Sequence, residues 1–234
     1  VYVVDPGDAK AVIDYLQNND LNLVGLVITH SHYDHVNGID EVLAFKNVPV
    51  YGPKHPGIPQ VTHPLNSQSR FSLWGQISVT VIETPGHLPE HLCYTFQVEQ
   101  RRILLCADIM FSSGCGRIFI GSPEELRQSL YTLAALPEET LVYCAHEYTE
   151  TNLNFAQAVE PKNQDIASRL QYIQDLRRLD KPSLPSTLAI EKSVNPFIRC
   201  EKSDVIAAAS AQLGRSVNNA DEVFAVLRKW KDDF

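Results

Sequence analysis

The stretch His30-Ser31-His32-Tyr33-Asp34-His35 carries four metal-ligating side chains and follows directly on an uncharged apolar run, Leu21 to Thr29. A run of that kind, bounded by polar residues, reads as a buried strand, so the ligand string is delivered at a strand end. His30 and His32 are two apart, and in an extended chain both imidazoles point to one side and can grip one ion. Asp34 and His35 are adjacent and diverge, which suits a second ion beside the first. Imidazole and carboxylate are borderline to hard ligands, so zinc, iron and manganese are all chemically open.

Three further candidates sit where other strands should end. His87 lies in Thr84-Pro85-Gly86-His87 after an expected strand at Ile77 to Glu83; Asp108 follows the strand Arg102 to Cys106; His146 follows Thr140 to Cys144. Ligands gathered from several strand ends converge on one edge of a sheet sandwich. His30, His32, Asp34, His35, His87, Asp108 and His146 suffice for two ions if Asp108 bridges and a water or hydroxide fills the gap. A lone histidine is more often a packing residue than a ligand, and His55 and His63, in the Pro-rich segment Pro53 to Pro64, read as surface loop. His91 is assigned an orienting or packing role rather than ligation.

The rest of the pattern is α/β alternation. Val1 to Val4, Val48 to Tyr51 and Leu92 to Val98 read as additional strands, and Ala9 to Asn18 as a helix. Ser122-Pro123-Glu124-Glu125 is a helix start with Ser as N-cap, Pro in the first turn and Glu three residues after the cap, and Leu126, Leu130 and Leu133 give it an apolar stripe ending before Pro137. From about Asn163 strand signals stop; Ile166, Leu170, Ile173 and Leu176 recur at helical spacing, Lys181 to Pro185 reads as a loop, and Asp204 to Leu213 and Asp221 to Asp232 as helices.

With 234 residues, 44% of them hydrophobic, the chain can bury a full core. A net charge of −8 disfavours nucleic acid and anionic membranes as partners, and an anionic substrate would need a local basic patch. No apolar run approaches the roughly 20 residues that cross a bilayer, and Cys93, Cys106, Cys115, Cys144 and Cys200, odd in number and scattered, read as reduced thiols. A cytoplasmic monomer is expected. The chain opens inside an apolar strand without Met, which reads as a fragment or a processed form.

On these residues the chain resembles the metallo-β-lactamase superfamily and, within it, the glyoxalase II (hydroxyacylglutathione hydrolase) family. The resemblance runs almost end to end, through Val4-Asp5-Pro6-Gly7, Thr29 to His35, Thr84 to His87, Phe111 to Arg117, Cys144-Ala145-His146-Glu147-Tyr148, Asn195-Pro196-Phe197 and Arg228 to Phe234. The ligand string identifies only the superfamily, whereas Gly114-Cys115-Gly116-Arg117, His146-Glu147-Tyr148 and the terminal basic segment narrow it to the family. The resemblance implies an α+β fold, the αββα sandwich, with a catalytic domain at 1–150 and a helical subdomain at 151–234 that contributes to substrate binding. It also implies that His30, His32 and His87 hold one divalent ion, Asp34, His35 and His146 a second, with Asp108 bridging. Zinc is the first choice and iron or manganese the alternatives. Arg117, Tyr148, Arg228 and Lys231 would contact a glutathionyl group, although cations near a helix end are ordinarily just solvated.

The implied activity is hydrolysis of S-2-hydroxyacylglutathione, S-D-lactoylglutathione above all, to glutathione and D-lactate in methylglyoxal detoxification, with Asp34 and Asp108 the catalytic carboxylates beside a metal-bridging hydroxide. The alternatives are a lactonase-like or β-lactamase-like hydrolase, a mononuclear iron dioxygenase, or a degenerate member that binds metal or glutathione without turnover. Three departures motivate the last. Ile109 stands where the family usually has Thr after the bridging Asp, His87-Leu88-Pro89-Glu90-His91 stands for His-Thr-x-Gly-His, and Ile120 replaces Glu in Phe119-Ile120-Gly121. The family also has a strand before Val1, whose absence would expose a sheet edge.

Overall fold

Residues 1–234 are described by a computed structural model. The chain divides into two compact units: residues Val1–Glu83 with Glu90–Phe96, and residues Thr84–Pro89 with Gln97–Phe234.

In the first unit β1 (Tyr2–Val4), α1 (Ala9–Asn18), β2 (Gly25–Val27), α2 (Tyr33–Val36), α3 (Ile39–Phe45), β3 (Val50–Gly52) and β4 (His63–Pro64) follow in order. The strands form a parallel sheet, β1-β2-β3-β4. β2 lies inside that sheet and is buried on both faces, which is why its sequence is continuously apolar rather than alternating. The ladder is shorter than the apolar run Leu21 to Thr29 suggests, because the residues before Gly25 turn off α1, with Leu21 N–H donating to Leu16 O at 2.9 Å. α1 starts on Asp8, whose carboxylate accepts from Ala11 N–H at 3.2 Å. Its stripe of Ala9, Val12, Ile13 and Leu16 packs on Leu26, Ile28, Ile39 and Val50. Because the strands are parallel, their carboxyl ends share one edge of the sheet, and Asp5 and Thr29 stand side by side there. A short antiparallel array, β5 (Phe71–Leu73), β6 (Ile77–Glu83) and β7 (Leu92–Val98), follows; His63, assigned to loop from sequence, is exposed but paired in β4.

The second unit holds β8 (Arg101–Ala107), β9 (Met110–Phe111), β10 (Gly114–Cys115), α4 (Pro123–Ala134), β11 (Leu141–Cys144), α5 (Thr149–Val159), α6 (Gln164–Arg178), β12 (Ser186–Thr187), α7 (Leu188–Val194), α8 (Ser203–Leu213) and α9 (Ala220–Asp233). β11 pairs parallel with β8 and antiparallel with β12. α4 has the expected capping box: Ser122 Oγ accepts from Glu125 N–H at 3.2 Å and Glu125 Oε2 from Ser122 N–H at 2.8 Å. Leu126, Leu130 and Leu133 below it are wholly buried.

Two corrections to the sequence reading arise here. A helix, α5 from Thr149, precedes the helical spacing read from Asn163; it is rich in Thr and Asn, which favour helices weakly, and is held by tertiary burial of Leu153, Phe155, Ala156 and Val159. A strand, β12, also falls beyond Asn163; at two residues it carries no periodicity to read.

Replacing Leu126 by Ala removes a fully buried side chain and should cost about 2–5 kcal/mol, against about 1 kcal/mol for Ser122→Ala at the cap. Urea denaturation of both variants tests the ranking; equal losses would contradict it.

Candidate metal centre

In the first unit the chain leaves β2 at Val27, and Thr29, His30 and His32 follow outside any helix or strand, His32 extended as the N-cap of α2, which carries Asp34 and His35. Asp5, at the end of β1, organises the whole string. Its Oδ1 accepts from Thr29 N–H at 2.8 Å and its Oδ2 from Thr29 Oγ1 at 2.7 Å and from His35 Nδ1 at 2.9 Å. Thr29 Oγ1 has a single proton and donates it to Asp5, so it accepts from His30 Nδ1, 2.9 Å away. Both rings are thereby fixed with Nδ1 protonated and the Nε2 lone pair available for an ion. His30 Nε2 lies 3.2 Å from His32 Nδ1, which makes Nδ1 the donor atom of His32. His35 Nε2 lies 3.7 Å from Asp34 Oδ2. His91 is buried and stacks on His30 with centroids 4.8 Å apart.

In the second unit the same tautomer logic recurs. His87 Nδ1 donates to Arg117 O at 2.7 Å, leaving Nε2 as the ligating atom. The Pro85-Gly86 turn that aims His87 needs glycine, since Gly86 has φ +127 and a Cβ there would lie 2.4 Å from the Leu126 backbone. Asp108 follows Ala107, whose φ of +38 turns the chain off β8. The two Asp108 oxygens face different histidines: Oδ2 lies 3.5 Å from His87 Nε2 and Oδ1 lies 3.6 Å from His146 Nε2. His146 stacks on Tyr148 at 5.2 Å, and Tyr148 lies edge-on to Phe111 at 5.1 Å.

Donor spacing tests whether these sets suit a cation. Metal–ligand bonds of about 2.0–2.1 Å at a tetrahedral angle put neighbouring donor atoms about 3.3 Å apart. The four pairs, at 3.2, 3.5, 3.6 and 3.7 Å, match that edge, and all four exceed the 2.7–2.9 Å of a charge-assisted hydrogen bond. The residues fit a divalent ion in chemistry and in spacing.

The expected substrate residues all belong to the second unit. Arg117 and Tyr148 are exposed. Arg228 is not a solvated helix end: it is 8% exposed. Its Nη1 donates to Cys115 O at 3.2 Å and Gly116 O at 3.4 Å, and its Nη2 to Asp232 at 3.1 Å. Its buried Nε has no hydrogen-bond partner. Lys231 lies 5.5 Å above the Phe155 ring, and burial, helped by Arg228, lowers its pKa. Asp232 also faces Arg117 Nε at 3.5 Å, so one carboxylate gathers two cations.

Sequence reasoning left Asp5, Thr29 and Asp232 without roles. For Asp5 the signal was present in Val4-Asp5-Pro6-Gly7, an acid at a strand end; nothing in the sequence marks Asp232.

Residues 1–146 match the description Metallo-beta-lactamase superfamily, and residues 147–234 match Hydroxyacylglutathione hydrolase C-terminus. A hydroxyacylglutathione hydrolase of Vibrio parahaemolyticus is 45% identical over 99% of this chain and 90% of its own length. That of Shewanella halifaxensis is 42% identical over 100% of this chain and 90% of its own.

The chain belongs to the hydroxyacylglutathione hydrolase family.

Solved structures agree on the fold. BLEG-1 B3 metallo-beta-lactamase superposes with a TM-score of 0.61 at 23% identity over 84% of this chain and 88% of that one. ETHE1 from Myxococcus xanthus gives 0.63 at 20% identity over 97% of this chain and 77% of that one. The fold is therefore the expected α+β metallo-β-lactamase fold; membership of the family makes the chain a hydrolase, and the donor sets suit divalent metal. Of the departures from the family pattern, Leu88 and Ile109 are buried core side chains, whereas Ile120 is exposed.

Asn tolerates the positive φ of Asp5, but its amide nitrogen donates, so one of the two accepting positions that serve Thr29 N–H, or Thr29 Oγ1 and His35 Nδ1, is lost. Asp5→Asn should weaken metal binding about 10- to 100-fold, as read by competition with a chromophoric chelator. Unchanged affinity would refute the orienting role.

Proposed function

We propose that the chain hydrolyses S-2-hydroxyacylglutathione thioesters, S-D-lactoylglutathione foremost, releasing glutathione and a 2-hydroxy acid, as methylglyoxal detoxification requires. The observation that carries this reading is Arg117: its carbonyl orients His87 at 2.7 Å while its side chain stands exposed within 3.5 Å of Asp232. One residue thus joins a metal histidine to the basic cluster of Arg228 and Lys231 that an anionic tripeptide needs.

In this reading His30, His32 and His87 would hold one ion and Asp34, His35 and His146 the other, with Asp108 shared between them, and zinc would be the resident metal. When bound, the two ions supply a water acidified towards a pKa of about 7 and Lewis-acid polarisation of the thioester carbonyl. Asp34 and Asp108 hold and orient the attacking water as it adds to the carbonyl carbon. The C–S bond then breaks and the sulfur departs as thiolate, which needs no dedicated acid because the thiol's reference pKa is only about 8.5, and it takes up a proton released by the attacking water. Arg117, Tyr148, Arg228 and Lys231 bind the glutathionyl part, the buried Arg228 chiefly by holding the Cys115–Gly116 backbone on which Arg117 hangs. Residues 1–150 act as the catalytic domain, and 151–234 contribute α9 to substrate binding.

No helix is long and apolar enough to cross a membrane, and the five cysteines are free. Free cysteines suit a reducing compartment, and we place the enzyme in the cytoplasm, as a monomer acting on a small molecule without nucleic-acid or membrane partners.

The metal-loaded protein should consume S-D-lactoylglutathione, seen as loss of thioester absorbance, and should leave a lactone and a β-lactam untouched. Chelation should abolish turnover and zinc restore it. Lactone cleavage without thioester cleavage would favour the lactonase alternative, and metal binding without turnover the degenerate one. Arg228→Ala combined with Lys231→Ala should raise KM for the glutathionyl substrate about tenfold or more, each lost charged hydrogen bond costing about 1.5–3 kcal/mol; an unchanged KM would remove the basic cluster from the binding site.

A further inference from the structure

Glu90 sits in the segment where this chain departs from the family pattern, and its hydrogen bonds reach back into the ligand string. Its Oε1 accepts from Ser31 Oγ at 2.6 Å and from Ser31 N–H at 3.3 Å. Ser31 is the residue between His30 and His32. The neighbours of Glu90 continue the pairing: the His91 ring stacks on His30 with centroids 4.8 Å apart and planes 26° apart, and Leu92 N–H donates to Thr29 O at 2.9 Å. Residues 90, 91 and 92 therefore face 31, 30 and 29 in antiparallel order, and the Tyr94 hydroxyl, donating to Ile28 O at 2.6 Å, ties the same two segments together.

A surface glutamate bonded to a serine ordinarily contributes little. Here both bonds fall on one residue, and that residue joins two ligating histidines. The short hydroxyl–carboxylate bond is of the charge-assisted kind, and with the N–H held too, the peptide between His30 and His32 is fixed at its side chain and its backbone. Asp5 and Thr29 fix the His30 ring. Glu90 adds a restraint on the residue that links His30 to His32.

We propose that Glu90 is a positioning residue for the metal centre, clamping Ser31 so that His30 and His32 stay at ligating separation and release their ion slowly. The proposal rests on the reading of His30 and His32 as metal ligands. Zinc-loaded wild-type, Glu90→Gln, Glu90→Ala, Ser31→Ala and Glu90→Ala/Ser31→Ala proteins are compared for zinc content, for the rate of zinc transfer to a chromophoric chelator, and for the Tm of the metal-free form. Glu90→Ala should release zinc about tenfold faster. Glu90→Gln, whose amide oxygen still accepts from Ser31, should recover most of the loss at an unchanged metal-free Tm. The double variant should be no faster than Glu90→Ala alone, because both substitutions delete one interaction. Release from Glu90→Ala at the wild-type rate, or effects of the two substitutions that multiply, would overturn the clamp. A wild-type chain that takes up no zinc would overturn the ligand reading, and the clamp with it.

Discussion

The ligand string depends on one carboxylate. Asp5 receives three hydrogen bonds, two from Thr29 and one from His35, and through the single hydroxyl proton of Thr29 it also sets the tautomer of His30. It can do so because β1 and β2 run parallel, which places the residue after each strand on the same edge of the sheet. A histidine string alone offers nitrogen atoms in unspecified protonation states. The carboxylate converts two of them into rings with a defined lone pair.

The second unit reaches the same end with a backbone carbonyl and a buried acid. The carbonyl is that of Arg117, which fixes His87. The acid is Glu191 on α7, wholly buried, whose carboxyl pKa is pushed up by burial against hydrogen bonds from Ser186, Ser113, Ser112 and Asn195. Asn195 also donates to Gly114 O at 2.9 Å, and Asn152 to Ser112 O at 3.1 Å. The segment that leads to Cys115, Gly116 and Arg117 is thereby secured from α5 and α7, while Arg228 secures its far end from α9. These helices therefore position a loop, and α9 carries Arg228 and Lys231 besides.

Much of the fold was legible in the sequence. α1, β6 and β7 fall on the expected residues, and α4 begins at the expected cap, because periodicity and capping are local signals. α5, α7 and β12 were not legible, since burial against distant residues rather than local propensity holds them. The ligand residues stood out because metal chemistry restricts the residue types so severely. Their orienting partners did not, since an aspartate at a strand end or a glutamate in a loop is common and acquires a role only through what lies opposite.

The sequence by itself determined the family, the α+β class and the seven candidate donors, because each is written in residue types at short spacings. Only the tertiary structure decided which nitrogen of His30, His35 and His87 is held by an orienting hydrogen bond, that Arg228 is a buried brace rather than a solvated helix end, and that Glu90 grips Ser31. Those outcomes depend on hydrogen bonds between residues 24 to 113 positions apart in sequence, and no local pattern encodes such a partner.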